Sequence, residues 1–252
     1  MNKTPRRTVG TASNEQRRER TSASSEYPAR ERTHASSDRV LREAEITRDA
    51  VVLRAELRGF TQIAEQHAAR ELTPLLDEYL DLLTETVAEN GGDIYQVDGD
   101  SLTAGFGVRA HKLNGSAERA LRAAQRMLAR FESLAERWSD RNAAWAAIGI
   151  GIHEGEVLTA ELRTKDRQSQ ALLGDTVNVA QCLSHRARAG EAVLSGTVRE
   201  SLKRHGVEVQ AIELPEMAIP GRSSRVDLFC LPRAARIQFQ EVGRREQRPP
   251  AR

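Results

Sequence analysis

Ile94-Tyr-Gln-Val-Asp-Gly-Asp-Ser-Leu-Thr-Ala-Gly-Phe106 sets two short runs of strand formers, residues 94–97 and 102–106, on either side of Asp98-Gly99-Asp100-Ser101. A glycine between aspartates, with strand signals on both flanks, predicts a tight turn, so the segment reads as a β-hairpin carrying carboxylates at its tip. Upstream, residues 50–57 form a short apolar run bounded by polar residues, the pattern of a buried strand. Between these strands Leu72, Leu75, Leu76, Tyr79, Leu80, Leu83 and Val87 recur at steps of three and four, which predicts one long amphipathic helix. Asn90-Gly91-Gly92 supplies its C-cap.

Downstream, a second amphipathic helix is expected over residues 116–138, with Ala120, Leu121, Ala124, Leu128 and Phe131 on one face. Strand signals at 146–153 and 156–161 flank Glu154-Gly155 and read as another hairpin. A polar loop over 163–170 leads to a short strand at 171–173, and residues 175–188 read as helix, with Val179 and Leu183 four apart. Strand 192–194, helix 197–204 and strands 207–214 and 225–231 complete the reading. The order β-α-β-β-α-β is that of a split βαβ unit. The expected fold is therefore α/β in the α+β sense: a ferredoxin-like βαββαβ domain with an α/β extension at its C-terminal side.

That domain is expected over residues 49–235 of the 252 in the chain. Residues 1–48 are Ser, Thr, Arg and Glu with almost no large apolar side chains, and 236–252 are similar, so both read as disordered tails. The formal net charge of +2 gives no reason to expect nucleic acid as a partner. Cys182 and Cys230 lie far apart without metal-ligand spacing, which suits a reducing compartment. Lys3, Arg6 and Arg7 are followed by no apolar segment of the kind that builds a signal peptide, and no apolar run approaches the roughly 20 residues of a membrane span. The expected location is the cytoplasm.

Four stretches stand in register over the domain: Leu53-Arg-Ala-Glu-Leu-Arg-Gly-Phe-Thr61, the turn Asp98-Gly99-Asp100, Gly149-Ile-Gly-Ile-His-Glu-Gly155 and Leu173-Gly-Asp-Thr-Val-Asn-Val-Ala180. In order and spacing they resemble the catalytic domain of class III nucleotidyl cyclases, the adenylyl/guanylyl cyclase family. Diguanylate cyclases also carry an acidic turn on this hairpin, but their Gly-Gly-Asp-Glu-Phe signature is absent.

The resemblance implies conversion of a nucleoside triphosphate, ATP before GTP, to a 3′,5′-cyclic nucleotide and pyrophosphate, with two Mg²⁺ or Mn²⁺ ions held by carboxylates. On this chain the metal positions are Glu56 and Asp100. Leu57, Arg58, Gly59, Phe60 and Thr61 occupy the strand-to-helix turn whose backbone N–H groups would cradle phosphates. The family completes each site across a dimer interface, and the matching positions here are Gln96, Ala171, Asp175, Asn178 and Cys182. A homodimer, or a heterodimer with another cyclase-type chain, is expected to pair through residues 96–106.

Several of these positions depart from the family. Glu56 replaces an aspartate and is longer by one methylene, which perturbs a site of strict octahedral geometry. Gln96 stands for a purine-reading lysine, Ala171 for a purine-reading Asp or Thr, and Cys182 for an arginine one helical turn beyond Asn178. Loss of a donor to developing charge costs about 2.7–4 kcal/mol, or about 10² to 10³ in rate. A cysteine there reads as a small residue that packs. A late lysine aligns with Pro220, with Arg222 as a substitute two residues on. Arg54 and Glu56, two apart on one strand, share a face, so Arg54 is expected to pair with Glu56 or Asp100. His153 reads as structural. Two functional readings follow: a cyclase whose homodimer turns over weakly or not at all and supplies the metal-bearing half of a heterodimer, or a pseudo-cyclase that acts as a nucleotide-binding or regulatory dimerisation module.

Overall fold

The computed structural model describes residues 40–109, 115–139, 146–163, 168–231 and 237–239. The first strand, β1 (Val40–Arg58), is followed by α1 (Phe60–Gln66) and α2 (Ala69–Glu89), then by the hairpin β2 (Asp93–Asp98) and β3 (Ser101–Phe106). After α3 (Ser116–Ser139) come β4 (Ala147–Arg163), β5 (Gln168–Leu173) and α4 (Asp175–Arg186). The rest is β6 (Glu191–Ser195), α5 (Gly196–Arg204), β7 (Val207–Val209), β8 (Ile212–Met217), β9 (Val226–Leu231) and β10 (Ile237–Phe239).

The main sheet runs β2-β3-β1-β4-β6-β9-β8, with β5 on the outer part of β4, and β10 pairs separately with β7. Its first four strands are antiparallel throughout, in the ferredoxin-like order. One face is closed by α2 and α3: Leu53, Ala55 and Leu57 of β1 pack there with Tyr79, Leu83, Leu121 and Phe131. Tyr79, Phe131 and Trp138 stack edge to face, with ring centroids 5.9 and 5.7 Å apart. On the other face Ala50 and Val52 meet Ala180 of α4. Strand alternation then places Arg54, Glu56 and Arg58 on the same face as Ala50 and Val52, so the apolar floor turns charged toward the end of β1.

The structure changes several expectations. β1 begins at Val40, crossing the boundary drawn at residue 48, because residues 40–47 pair with residues 157–163 of β4. β10 likewise lies within the stretch 236–252 read as a tail; the remainder of both tails lies outside the described residues. The single helix expected after β1 is two, α1 and α2. Glu154-Gly155 is no hairpin: β4 runs through it unbroken, and the strand that follows and pairs antiparallel with it is β5, which starts at Gln168. Gly155 is there for space, since a Cβ would sit 2.6 Å from the Thr176 hydroxyl. That hydroxyl donates to the Glu156 carbonyl at 2.6 Å and holds the first turn of α4 against β4.

Candidate functional site

Glu56 lies on the last turn-ward residues of β1, directly across from Ser101, the first residue of β3. The Leu57 N–H donates to the Asp100 carbonyl at 3.0 Å, which fixes the tip of the β2–β3 hairpin beside the end of β1. The two acids expected to hold metal are thus brought together by one strand pair and one backbone bond. Asp100 responds to this: its carboxyl is held above the ordinary range mainly by burial, offset by a hydrogen bond from its own backbone, and pushed further by the negative charge of Glu56. Arg54 and Arg58 pull it back down.

Glu56 is engaged at both oxygens. Oε2 accepts from Arg58 Nη1 at 3.0 Å and Oε1 faces His185 Nε2 at 3.4 Å. The expected pairing of Arg54 with an acid is not what the structure shows. Its guanidinium is buried and donates to the Thr103 hydroxyl at 2.9 Å and the Ser101 hydroxyl at 2.8 Å. The register explains the choice, because Arg54 lies opposite Thr103, and Ser101 is one same-face step along β3. Arg54 Nε and the hydroxyl of fully buried Tyr79 have no hydrogen-bond partner among the described residues. Tyr79, on α2 beneath the acids, has its phenol raised well above the usual value, first by burial and then by Asp100 and Glu56.

The turn expected to cradle phosphates has part of its donors engaged. The Leu57 N–H is committed to Asp100, and the Arg58 side chain turns inward to the C-terminal end of α4, donating to the carbonyls of Ser184 and Ala187. Gly59 begins α1 with φ 82°, and Phe60 and Thr61 follow as its first residues, whose N–H groups precede any intrahelical acceptor. These remain the backbone donors of the turn.

The positions assigned to the opposite half of a family site lie on β2, β5 and α4, which touch in sequence, β2 against β5 and β5 against α4. Gln96 is exposed on β2 just after a bulge that offsets Ile94 and Gln96 against β3. Ala171 on β5 pairs with Ala160 of β4, and Asn178 is exposed on α4. Cys182 packs against the cluster of Val179, Leu183, Val193 and Leu228, as expected of a small residue that fills a helix face. Asp175 is tied to Arg222 at 2.6 Å, so Arg222 is paired with the first turn of α4. His153 is buried and its pKa falls to about 4, chiefly through burial and then through Arg222, so it is a neutral structural group at pH 7. Sequence reasoning missed His185 and the inward role of Arg58; Gly149-x-Gly151 was the available signal, since paired glycines on one strand face mark close approach by another element.

The match to known proteins agrees with this geometry. The family model for the adenylate and guanylate cyclase catalytic domain covers residues 43–232. Adenylate cyclase 1 of Rhizobium meliloti is 30% identical over 191 residues, which is 72% of this chain and 27% of that protein. Among solved structures, the adenylyl cyclase CyaB from P. aeruginosa superposes with a TM-score of 0.67 at 23% identity, covering 75% of this chain and 96% of that one. The guanylate cyclase domain of RhGC from Catenaria anguillulae, solved with GTP, gives 0.64 at 18% identity, over 74% and 97%. The chain belongs to the class III adenylate and guanylate cyclase catalytic domain family. It spans about a quarter of the length of the curated relatives it matches. No helix among the described residues is long and apolar enough to cross a membrane.

Proposed function

We propose that the chain is a cyclase-type domain that supplies the acid-bearing half of a composite site and turns over weakly or not at all as a homodimer. The observation that carries this reading is the contrast at the site itself: Glu56 and Asp100 meet, while the arginine position on α4 is Cys182, packed into an apolar cluster. The substrate is a nucleoside triphosphate, with ATP the first candidate from the sequence relatives, and the dimer edge is β2, where Ile94 and Val97 are exposed.

No group of three or more His, Cys, Asp or Glu side chains among the described residues could hold a metal ion by itself, so Glu56 and Asp100 would give two oxygen donors to a Mg²⁺ or Mn²⁺ ion whose shell phosphate oxygens and water complete. When bound, such ions would polarise the α-phosphate and lower the pKa of the ribose 3′-hydroxyl. Glu56 and Asp100 would hold them. Phe60 and Thr61 present the free backbone donors that receive phosphate oxygens. Asn178 offers an amide to the ribose of a nucleotide held by the other subunit, and Gln96 offers both a donor and an acceptor to a base. Ala171 and Cys182 add neither a base contact nor a fixed cation.

The occupied state of Glu56, with Arg58 on one oxygen and His185 on the other, favours a second reading: a pseudo-cyclase that pairs and regulates without turnover. Cyclic-nucleotide production by the full chain, with ATP and GTP in Mg²⁺ and in Mn²⁺, separates the readings from an ordinary cyclase. Rates typical of self-sufficient family members would overturn both.

A further inference from the structure

Glu56 has no oxygen left to itself, and both of its partners lead to the same helix. Arg58 bridges the Glu56 carboxylate to the carbonyls of Ser184 and Ala187, and His185 reaches Glu56 directly from α4. Ser184 lies in the last turn of α4, where its carbonyl also accepts the Ala187 N–H at 3.2 Å, and Ala187 is the C-cap, at the end where the helix dipole is negative. A guanidinium placed there caps the helix, and its fork geometry allows it to hold a carboxylate at the same time. The sequence makes room for the arrangement. A Cβ on Gly149 would sit 2.7 Å from Arg58 Nε and 2.8 Å from Nη2, and a Cβ on Gly151 would strike the α4 backbone at Ala180 and Ser184.

We infer that Arg58 is a positioning residue that ties the state of Glu56 to the C-terminal turn of α4, so that a cation taken up by Glu56 loosens that turn. The inference rests on the composite-site reading for its functional meaning. His185 follows Asn178 and Cys182 along one stripe of α4 at steps of four and three, and Asn178 lies about 10 Å further along the axis, at about 1.5 Å per residue. Under that reading Asn178 serves the other site of a dimer. The helix therefore joins the acid of one site to the nucleotide contact of the next, and the clamp gives each site a mechanical report of cation occupancy in the other.

The test uses Mn²⁺ alone, without nucleotide, on the full chain. Hydrogen exchange of the amides over residues 184–188 and the Mn²⁺ dissociation constant are measured for the wild type, Arg58→Gln, Arg58→Lys and Arg54→Gln. In the wild type, saturating Mn²⁺ is expected to raise exchange at 184–188 about fivefold. Arg58→Gln is expected to exchange fast already, to respond little to Mn²⁺ and to bind Mn²⁺ about tenfold more tightly. Arg58→Lys restores the weaker affinity, because the charge returns, but only part of the protection, because an ammonium cannot fork between a carboxylate and two carbonyls. Arg54→Gln removes an equal charge from the same face and must leave 184–188 unchanged, which separates the clamp from a simple field effect. Mn²⁺ binding to the wild type with no change over 184–188 would overturn the inference. So would Arg58→Gln that matches the wild type in both readouts, or an absence of Mn²⁺ binding in both chains. None of these readouts depends on turnover, so a catalytically silent chain can still show the clamp, and an active one can still lack it.

Discussion

The acid end of β1 and the surface formed by β2, β5 and α4 depart in opposite ways from the pattern that the family resemblance implies. At the acid end the charges are present but engaged: Glu56 and Asp100 lie near enough to couple electrostatically, Arg58 and His185 pair with Glu56, and buried Arg54 spends its donors on Thr103 and Ser101. On the other surface, under the proposed function, the framework is kept without the chemistry. Strand β5, helix α4 and Asn178 are in place, yet Ala171 and Cys182 offer nothing to a base or a developing charge. Carboxylates can be kept in a fold by local arginines that make them structurally useful. A donor that acts only in a transition state has no such second use, and its replacement by a small packing residue costs the fold little.

The largest expected effect comes from restoring the depleted surface. Gln96→Lys with Ala171→Asp and Cys182→Arg is expected to raise cyclic-nucleotide production in Mn²⁺ by about 10² to 10³. The three should couple rather than add, because they act on one transition state. Absence of any gain would place the defect at the acid end instead.

A smaller effect probes how the N-terminal end of α4 is held. His153 folds as a neutral ring with its pKa lowered to about 4 from the ordinary 6.5 of a histidine, so it favours the folded state above about pH 6.5 and that contribution is lost as pH falls toward 4. A shift of this size corresponds to a few kcal/mol at most, at about 1.4 kcal/mol per pH unit. Urea unfolding at pH 7 and pH 5 should therefore show a smaller pH difference in His153→Gln than in the wild type. An equal pH difference in both chains would rule His153 out as the group responsible.

The smallest effect concerns the seat of α4. Gly151→Ala places a methyl group against helix backbone that cannot rotate away, and about 1–3 kcal/mol of stability should be lost by overpacking. A thermal midpoint unchanged from the wild type would mean that α4 sits less tightly on β4 than this geometry requires.

The legible part of the fold was what periodicity reports. The two amphipathic helices, the β2–β3 hairpin and the βαββαβ order all follow from apolar spacing and turn residues. Glu154-Gly155 misled because a glycine beside a polar residue looks the same whether it turns the chain or admits a neighbouring side chain, and only the arrival of Thr176 distinguishes the two. The start of β1 at Val40 was hidden because residues 40–47 mix charged and apolar side chains without a clear period and are placed by pairing with β4, far along the chain. At the site, the alternation Arg54, Glu56, Arg58 did place three charges on one face. It did not reveal which partner each would choose, because Ser101, Thr103, Ser184 and Ala187 arrive from β3 and α4, far along the chain.

The most direct measurement pairs the wild-type chain with an acid-null, repaired chain carrying Glu56→Ala, Asp100→Ala, Gln96→Lys, Ala171→Asp and Cys182→Arg. Only the mixed dimer then contains one site with both acids and a complete opposite surface. Cyclic nucleotide formed by the mixture, with each chain alone near background, is the result this account predicts. A mixed dimer that assembles and stays silent, or a wild-type chain that turns over alone as fast as the mixture, would contradict it.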